Sequence, residues 1–578
     1  MTDIARSQTD ILIIGAGGAG LFAALHAHRA NPDLEVTIAS KGLLGKSGCT
    51  RMVQGGYNVA LGAGDSVERH FMDTIEGGKW LPHQDLAWTL VETAIERVRE
   101  LENEIGCFFD RNPDGSIHGK AFAGQTFDRT VHKGDLTGIE IINRLMEQVW
   151  ATPVARREEH RAIALIPDTA GDTIAGVLFV DMRTGAFHLI EAQAVLLASG
   201  GGPTMYKYHT PSGDKSMDGL AMALSFGLEL RDMEMVQFHP TGVLAGPGTR
   251  MTGTIIEEGL RGAGGYLLDG TEQRFMERYD PRAERATRDI VSRAMFSEMR
   301  AGNTTPEGGL YISMAHLGPE KVARQFKGMV ERCRDCGFDL AGGLVEVVPT
   351  AHYLMGGVIC DVDTSTAVPG LFVAGEDAGG VHGANRLGGN GVANSTVFGG
   401  IAGDVMPGWV AQNPGHRPVD EDRVAAAVDD ALAPFQQTGN GLNDIRDALL
   451  ETMWEDVGII RDAGSLARGR STLDAFDDEL ARTGVATSER AFNLTWHDWL
   501  NLRNQITISK VITEAATARD DSRGAHFRAD HPQTGELDTT AFTVVAQGDD
   551  ALTVTTAPVA FTRVRPGETL LALPDAAE

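Results

Sequence analysis

The 578-residue sequence predicts an α/β protein: a Rossmann-like domain interrupted by an insertion, then a helical domain and a small C-terminal domain that contains β-strands. Three observations predict it. An apolar, mostly β-branched run at Ile11–Ile14 ends in a G-x-G-x-x-G turn and passes straight into an amphipathic segment. Two further buried-strand patterns, 194–201 and 370–376, also end in glycine, and the chain between about 240 and 350 has irregular periodicity. From 420 to 520 the apolar period becomes helical.

The first strand, Ile11-Leu12-Ile13-Ile14, leads into Gly15-Ala16-Gly17-Gly18-Ala19-Gly20. In such a turn Gly15 permits the tight bend, Gly17 with Gly18 brings backbone close to a pyrophosphate, and Gly20 lets helix and strand pack closely. The helix that follows aims its unpaired N–H groups and positive dipole end at the phosphates. Glu35–Ser40 reads as the second parallel strand. A plain nicotinamide site often carries an acid at the end of this strand to hold the ribose, whereas this chain has Ser40-Lys41. The glycine-rich loop Lys46–Gly56 contains Ser47, Cys49, Thr50, Gln54, Gly55 and Gly56 and reads as functional. Leu86, Leu90, Val91, Ala94, Ile95, Val98 and Leu101 mark one face of a long helix, and Ile139–Val149 predicts another.

From Arg161 to Gly200 the period switches to two. Residues 163–166, 175–180 and 185–190 predict a small antiparallel sheet, and 194–201 a separate buried strand. A helix starts at Asp218-Gly219. After the irregular stretch, Gly370–Glu376 returns to the first domain and Gly389–Gly403 closes it with a helix. Pro414–Pro418 reads as a linker. Helices follow at Val424–Phe435, Asn443–Val457 and Trp496–Ala518, and 540–565 alternates as short strands. The expected organisation is 1–240 and 351–412 for the split first domain, 241–350 for the insertion, 420–520 for the helical domain and 521–578 for the C-terminal one.

Apolar content of 42% and charged content of 22% are those of an ordinary globular protein. No run of about 18 apolar residues predicts a membrane span, and the N-terminus carries neither a signal-peptide apolar region nor a twin-arginine pair. A position on the cytoplasmic side of the membrane is expected, with any attachment supplied by a partner. The net charge of −28 argues against nucleic acid as a partner. It leaves room for a small anion held by a local cluster of Arg and His. Five cysteines are too few and too scattered for a disulfide scaffold. Cys333-Arg334-Asp335-Cys336 lacks a second ligand pair and reads as structural, so no metal site is expected, and no iron–sulphur or haem ligand set is visible.

Six blocks then appear in order: Gln237-Phe238-His239-Pro240-Thr241-Gly242, Glu258-Gly259-Leu260-Arg261-Gly262-Ala263-Gly264-Gly265, Arg288-Asp289-Ile290-Val291, His352-Tyr353-Leu354-Met355-Gly356-Gly357, His382–Asn390 and Ser522–His526. With these the chain resembles the flavoprotein subunits of succinate dehydrogenases and fumarate reductases, and their cousin L-aspartate oxidase. The resemblance implies a split FAD-binding domain and an inserted capping domain over the substrate. It implies oxidation of succinate or reduction of fumarate, with electrons exchanged through an iron–sulphur subunit docked to a quinone-reactive membrane anchor. His352 and Arg386 would hold one substrate carboxylate, His239 the other, and Phe122 would wall the pocket. The proton shuttle would be Arg288, fed through Glu258 and Arg261. Asp218 and Glu376 match the family's FAD-binding acids, and Asn390, Gly391 and Val392 would approach the flavin ring.

The chain departs from the family in three places. A threonine that would donate to a substrate carboxylate is replaced by Glu257. An ionised carboxylate facing the substrate would oppose a dianion, so Glu257 turns away, is protonated, or meets a different substrate end. Relatives often attach FAD through a histidine that here is Cys49, and no histidine lies between His28 and His70. The flavin is therefore expected to be non-covalent, which would lower its potential and lean the chemistry toward fumarate reduction. After Asn390 the usual Ser-Leu-Leu is replaced by Gly391-Val392-Ala393. L-aspartate oxidase and a fumarate reductase working mainly in the reducing direction stand as alternatives to succinate dehydrogenase.

Overall fold

The strand predicted at Ile11–Ile14 begins at Ile4 in the computed structural model, which describes residues 3–246, 249 and 251–571. It is the centre of a seven-stranded sheet. On one side lie Val36–Ala39 and then Ala155–Arg157, both parallel to it. On the other lies Phe187–Leu197, also parallel, paired along almost its whole length from Ile4↔Phe187 to Ile14↔Leu197. The helix Gly18–Ala30 follows the glycine turn, as predicted.

Residues 185–190 and 194–201 do not form two strands. Phe187–Leu197 is one continuous strand whose outer edge is shared. Its first half pairs antiparallel with Ile174–Asp181, which pairs in turn with His160–Pro167. Its last three residues pair parallel with Leu371–Val373, the strand that returns from beyond the insertion. The polar Glu191 and Gln193, which suggest a break in the sequence pattern, are carried at the crossover between the two partners. There the side chains reach Gln8 and Asp10 on the neighbouring strand.

The insertion is built on a four-stranded antiparallel sheet in the order Val236–Val243, Leu344–Leu354, Leu310–Ser313, Tyr266–Leu268. Its entering and leaving strands pair with each other across the expected limits at 241 and 350. Helix Arg288–Arg300 packs on this sheet, and Leu267, Phe275, Val291, Met295, Ile312, Val345 and Val347 form a core separate from that of the main sheet. A buried apolar side chain of this size contributes roughly 1.5–3 kcal/mol, and Arg288 stands at the start of the helix that packs on this core.

Helices Glu421–Leu432, Leu442–Glu455 and Leu494–Ala518 match the expected helical region. A fourth, Ala463–Leu480, lies outside the expected set. Its signals are present in the sequence: Leu466, Gly469, Leu473, Phe476 and Leu480 are buried at helical spacing. Asp462 and Ser465 form a capping box, with Ser465 N–H donating to Asp462 Oδ1 at 2.8 Å and Asp462 N–H to Ser465 Oγ at 3.0 Å. The C-terminal hairpin, Ala541–Gln547 with Leu552–Pro558, adds to Leu230–Arg231 and Gly357–Val358. Among the described residues no helix is long and apolar enough to cross a membrane.

Candidate active site

The glycine turn divides Gly15, Gly17 and Gly20 by function. Gly15 has φ +113°, and a Cβ there would run into the Ala198 carbonyl oxygen. A Cβ on Gly20 would run into the Gly15 carbonyl oxygen. Both are dictated by protein packing. Gly17 is different: the nearest atom to a Cβ there is Thr50 Oγ1 at 3.5 Å. The space in front of Gly17 is cavity, as a group approaching the backbone requires. Thr50 from the second glycine-rich loop accepts the Gly18 N–H at 3.0 Å and fixes that loop on the helix start.

A smaller cavity opens from Gly17 toward Ser40, Lys41, Ser47 and Asp218. Asp218 does not stand free at its wall. Lys41 Nζ donates to it at 2.8 Å and Arg161 Nη2 at 2.8 Å, and Lys41 also reaches Ser216 Oγ at 2.9 Å. Burial pulls the Lys41 ammonium down to about 8, with Asp218 opposing. The same burial would raise the Asp218 carboxyl, but Arg161 and Lys41 outweigh it and hold it below the ordinary range. Asp218 is a partly buried ion-pair acid in that wall, held there by Lys41 and Arg161.

The larger cavity, about 470 Å³, begins at Gly17–Ala19 and is walled by Cys49, Thr50 and Gln54–Gly56 on one side and by Gly375, Glu376, Gly391 and Val392 on the other. Glu376 Oε1 accepts the N–H groups of Gly202 at 3.1 Å and Leu354 at 3.0 Å, while burial pushes its carboxyl up to about 7. The Cys49 thiol, which lines this cavity, is pushed up to about 12 by burial. Asn390 departs from expectation. Its side chain does not line the cavity but is spent in a buried network: Oδ1 accepts from Asn58 at 2.8 Å and faces His70 Nε2 at 3.0 Å, and Nδ2 donates to Thr74 at 3.1 Å. It fixes the start of helix Asn390–Gln412, whose first turn presents Gly391 and Val392 instead.

These two cavities, which share Gly17, Gly48, Ser199, Gly200 and Lys215 in their walls, fit FAD. The open face of Gly17 and the helix start behind it suit a pyrophosphate, and a mostly apolar wall suits a flat aromatic ring. The side-chain carbonyl oxygen of Gln54 is buried without a protein partner, a polar atom left for a ligand.

At the far end of the larger cavity the capping sheet delivers a cationic cluster. Arg288, the first residue of its helix, donates from Nε and Nη2 to Glu258 Oε2 at 2.9 and 2.5 Å. Arg261 reaches Glu258 Oε1 at 3.4 Å and donates to the Glu284 carbonyl at 2.7 Å. Arg288, Glu258 and Arg261 thus form a continuous chain leading away from the cavity, which Arg288 and Glu258 line and Arg261 does not. Burial would raise the Glu258 carboxyl, but Arg288 and Arg261 hold it below the ordinary range.

Gln237 is the piece that the sequence motif contains without revealing its use. Its Oε1 accepts from Arg288 Nη1 at 2.9 Å and from Arg386 Nη2 at 3.1 Å, holding two guanidiniums side by side. Burial, then the neighbouring Arg288, lowers Arg386 to about 10, still cationic at neutral pH. His239 and His352 also line the cavity, their rings 5.5 Å apart. Burial and the arginines hold both well below the ordinary range, hence neutral. The Thr241 N–H points at His239 Nδ1 at 3.3 Å, which places the His239 ring proton on Nε2. His352 Nδ1 is hydrogen-bonded to Thr210 at 2.7 Å. Phe122 closes the cavity against Gly55.

Glu257 lines the same cavity and is not left bare: Lys120 Nζ lies 2.7 Å from its Oε1. To the three possibilities open for it, the structure adds a fourth, compensation by a lysine from the short strand Gly119–Lys120.

The chain matches the family described as FAD binding domain over residues 10–392, and that described as Fumarate reductase flavoprotein C-term over 446–570. It is 39% identical to a fumarate reductase (CoM/CoB) subunit of Methanothermobacter marburgensis, covering 91% of this chain and 95% of that one. It is 34% identical to the fumarate reductase flavoprotein subunit of Mycobacterium tuberculosis, covering 97% and 99%. Among solved structures, FrdA of the E. coli quinol fumarate reductase superposes with a TM-score of 0.92 at 32% identity, covering 98% and 99%. Mycobacterium smegmatis Sdh1 in complex with UQ1 gives 0.85 at 35% identity, covering 96% and 94%.

Proposed function

Since the chain belongs to the family of fumarate reductase and succinate dehydrogenase flavoprotein subunits, we propose that it interconverts fumarate and succinate with non-covalently held FAD, working chiefly as a fumarate reductase. The observation that carries this reading is the meeting, in one cavity, of Arg386, His352 and His239 with the Arg288–Glu258–Arg261 chain.

In this reading Arg386 and His352 take one carboxylate, Arg386 by the forked geometry that orients as well as attracts. His239 donates its Nε2 proton to the other end, and Phe122 walls the olefin. Gly15–Gly20, Gln54–Gly56, Glu376, Gly391 and Val392 would hold FAD, which would supply the hydride exchange. Arg288 gives a proton to the carbon that does not receive the hydride. An arginine is a poor base in water, but the developing carbanion is strongly basic, so an oriented, fully protonated donor suits it. Glu258, an ionised carboxylate between two guanidiniums, then relays a proton: it takes one from Arg261 at Oε1 as neutral Arg288 is reprotonated from Oε2. Arg261 is itself lowered by burial, which eases the hand-over. In this reading the chain would sit peripherally on the cytoplasmic side of the membrane, docked to an iron–sulphur subunit that is itself on a quinone-reactive membrane anchor. The solved neighbours named as quinol fumarate reductases support that assembly.

The test is to purify the flavin-loaded chain and measure fumarate-dependent oxidation of reduced benzyl viologen. Rapid turnover, with all yellow colour released by acid precipitation, is expected. Aspartate-dependent peroxide formation without fumarate reduction would overturn the assignment, and colour retained on the precipitated chain would overturn non-covalent attachment.

A further inference from the structure

Four carboxylates, Asp135, Glu257, Glu258 and Glu376, line the larger cavity, an unusual wall for a site that must take a dianion. Glu258 is bracketed by two arginines. Glu257 depends on a single cation. Lys120 Nζ sits 2.7 Å from Glu257 Oε1 and donates to the Gly134 carbonyl at 2.7 Å, which fixes the ammonium behind the carboxylate. The two residues come from different domains: Lys120 from the short strand Gly119–Lys120 of the FAD-binding part, Glu257 from the cap.

We propose that Lys120 sets the preference of the pocket for a dianionic over a monoanionic four-carbon acid, by neutralising Glu257 in the pocket wall. The inference rests on the fumarate/succinate reading of the site. Its logic is electrostatic. A substrate carboxylate roughly 5 Å from an uncompensated glutamate, at an effective dielectric near 20, is disfavoured by at least about tenfold in binding. An ammonium at salt-bridge distance from that glutamate cancels most of the repulsion. Protonation of Glu257 would do the same, and burial, Asp135 and Glu258 all push in that direction, but Lys120 opposes it. Burial holds the Glu257 carboxyl above the ordinary range, with Lys120 opposing; the lysine at 2.7 Å cancels the charge of the ionised carboxylate, and the pair presents a neutral, polar surface. A substrate whose second end is an amide has no charge for Glu257 to repel and is indifferent to Lys120.

Lys120 and Glu257 are specificity-determining residues in this scheme; neither touches the reacting carbons. The prediction is a rescue cycle in the flavin-loaded enzyme, using fumarate, its monoamide, and malonate as a non-reacting dicarboxylate titrated by the flavin absorbance change. Lys120→Met is expected to raise the fumarate KM and the malonate Kd at least tenfold, with kcat within about threefold and the monoamide KM within about threefold. Lys120→Met with Glu257→Gln is expected to bring fumarate and malonate back to within about threefold of wild type. Glu257→Gln alone, which needs no stable Lys120 variant, should increase selectivity for fumarate over the monoamide. Parallel losses on both substrates, failure of the double variant to recover, or unchanged selectivity in Glu257→Gln would overturn the proposal. A wild-type enzyme that does not reduce fumarate would instead overturn the functional reading, and the malonate titration would still report on the pocket.

Discussion

The glycine turn at residues 15–20 and the charged pocket under the cap serve neighbouring parts of one cavity by opposite means. The turn uses backbone: two glycines are demanded by contacts within the protein, and the third leaves open space. The pocket uses side chains: Arg288, Arg386 and Lys120 each sit against Gln237, Glu258 or Glu257, and these partners arrive from separate segments of the chain. The backbone site can be broken only by filling it. The side-chain site can be broken by removing a charge, and repaired by removing its partner.

The largest expected effect lies at Gly17. Its φ of −80° and ψ of −170° are open to valine, and a side chain there meets cavity rather than protein. Gly17→Val is expected to give folded protein with no flavin and no activity, measured by flavin absorbance against the circular dichroism of the chain. Gly20→Ala, aimed at the Gly15 carbonyl, should instead lower the yield of folded protein. If both variants behaved alike, the division between packing and ligand glycines would be wrong. In the pocket, Arg288→Ala is expected to retain full flavin and lose about 10³–10⁴-fold in kcat, the range for a lost general acid with charge stabilisation; a loss below tenfold would remove Arg288 from the proton path.

The smallest effect belongs to Glu376, where the two regions meet. Its carboxyl, ordinarily near 4.5, is raised by burial to about 7 in the fold. The folded flavin-free chain therefore binds a proton more tightly than the unfolded one. The resulting stabilisation is complete below about pH 4.5 and disappears as pH rises through about 7, at most about 3 kcal/mol over that window. Glu376→Gln keeps the acceptor for Gly202 and Leu354 and should flatten the fall in melting temperature of the flavin-free protein between pH 5 and 8. An unchanged slope would show that Glu376 does not titrate there.

The turn is legible in the sequence because its signal is local. A strand pattern, spaced glycines and a helix pattern sit within 20 residues, and each glycine has its own steric reason. The insertion is legible as a loss of period, and Arg261 and Arg288 through their motif blocks. What the sequence leaves open is set by distant partners. Asn390 reads as a ligand residue until Asn58, His70 and Thr74 are seen to claim its side chain. Glu257 reads as a conflict until Lys120, far away in sequence, is found beside it. Phe187–Leu197 reads as two strands because its neighbours change along its length. The helix Ala463–Leu480 is the exception, since both its cap and its period are local.

That shared strand has a consequence for biosynthesis. Ile14 and Leu197 can pair early, but the open edge at Val195–Leu197 waits for Leu371–Val373. At about 5–20 residues per second, roughly 20–70 s separate synthesis of the glycine turn from arrival of the strand and the Gly375–Glu376 turn that complete the flavin's enclosure. The whole insertion must pass, and closing so long a loop is slow. A nascent chain ending anywhere before that turn carries the phosphate grip but not the pocket, so stoichiometric flavin marks a chain that has finished folding through its seventh strand.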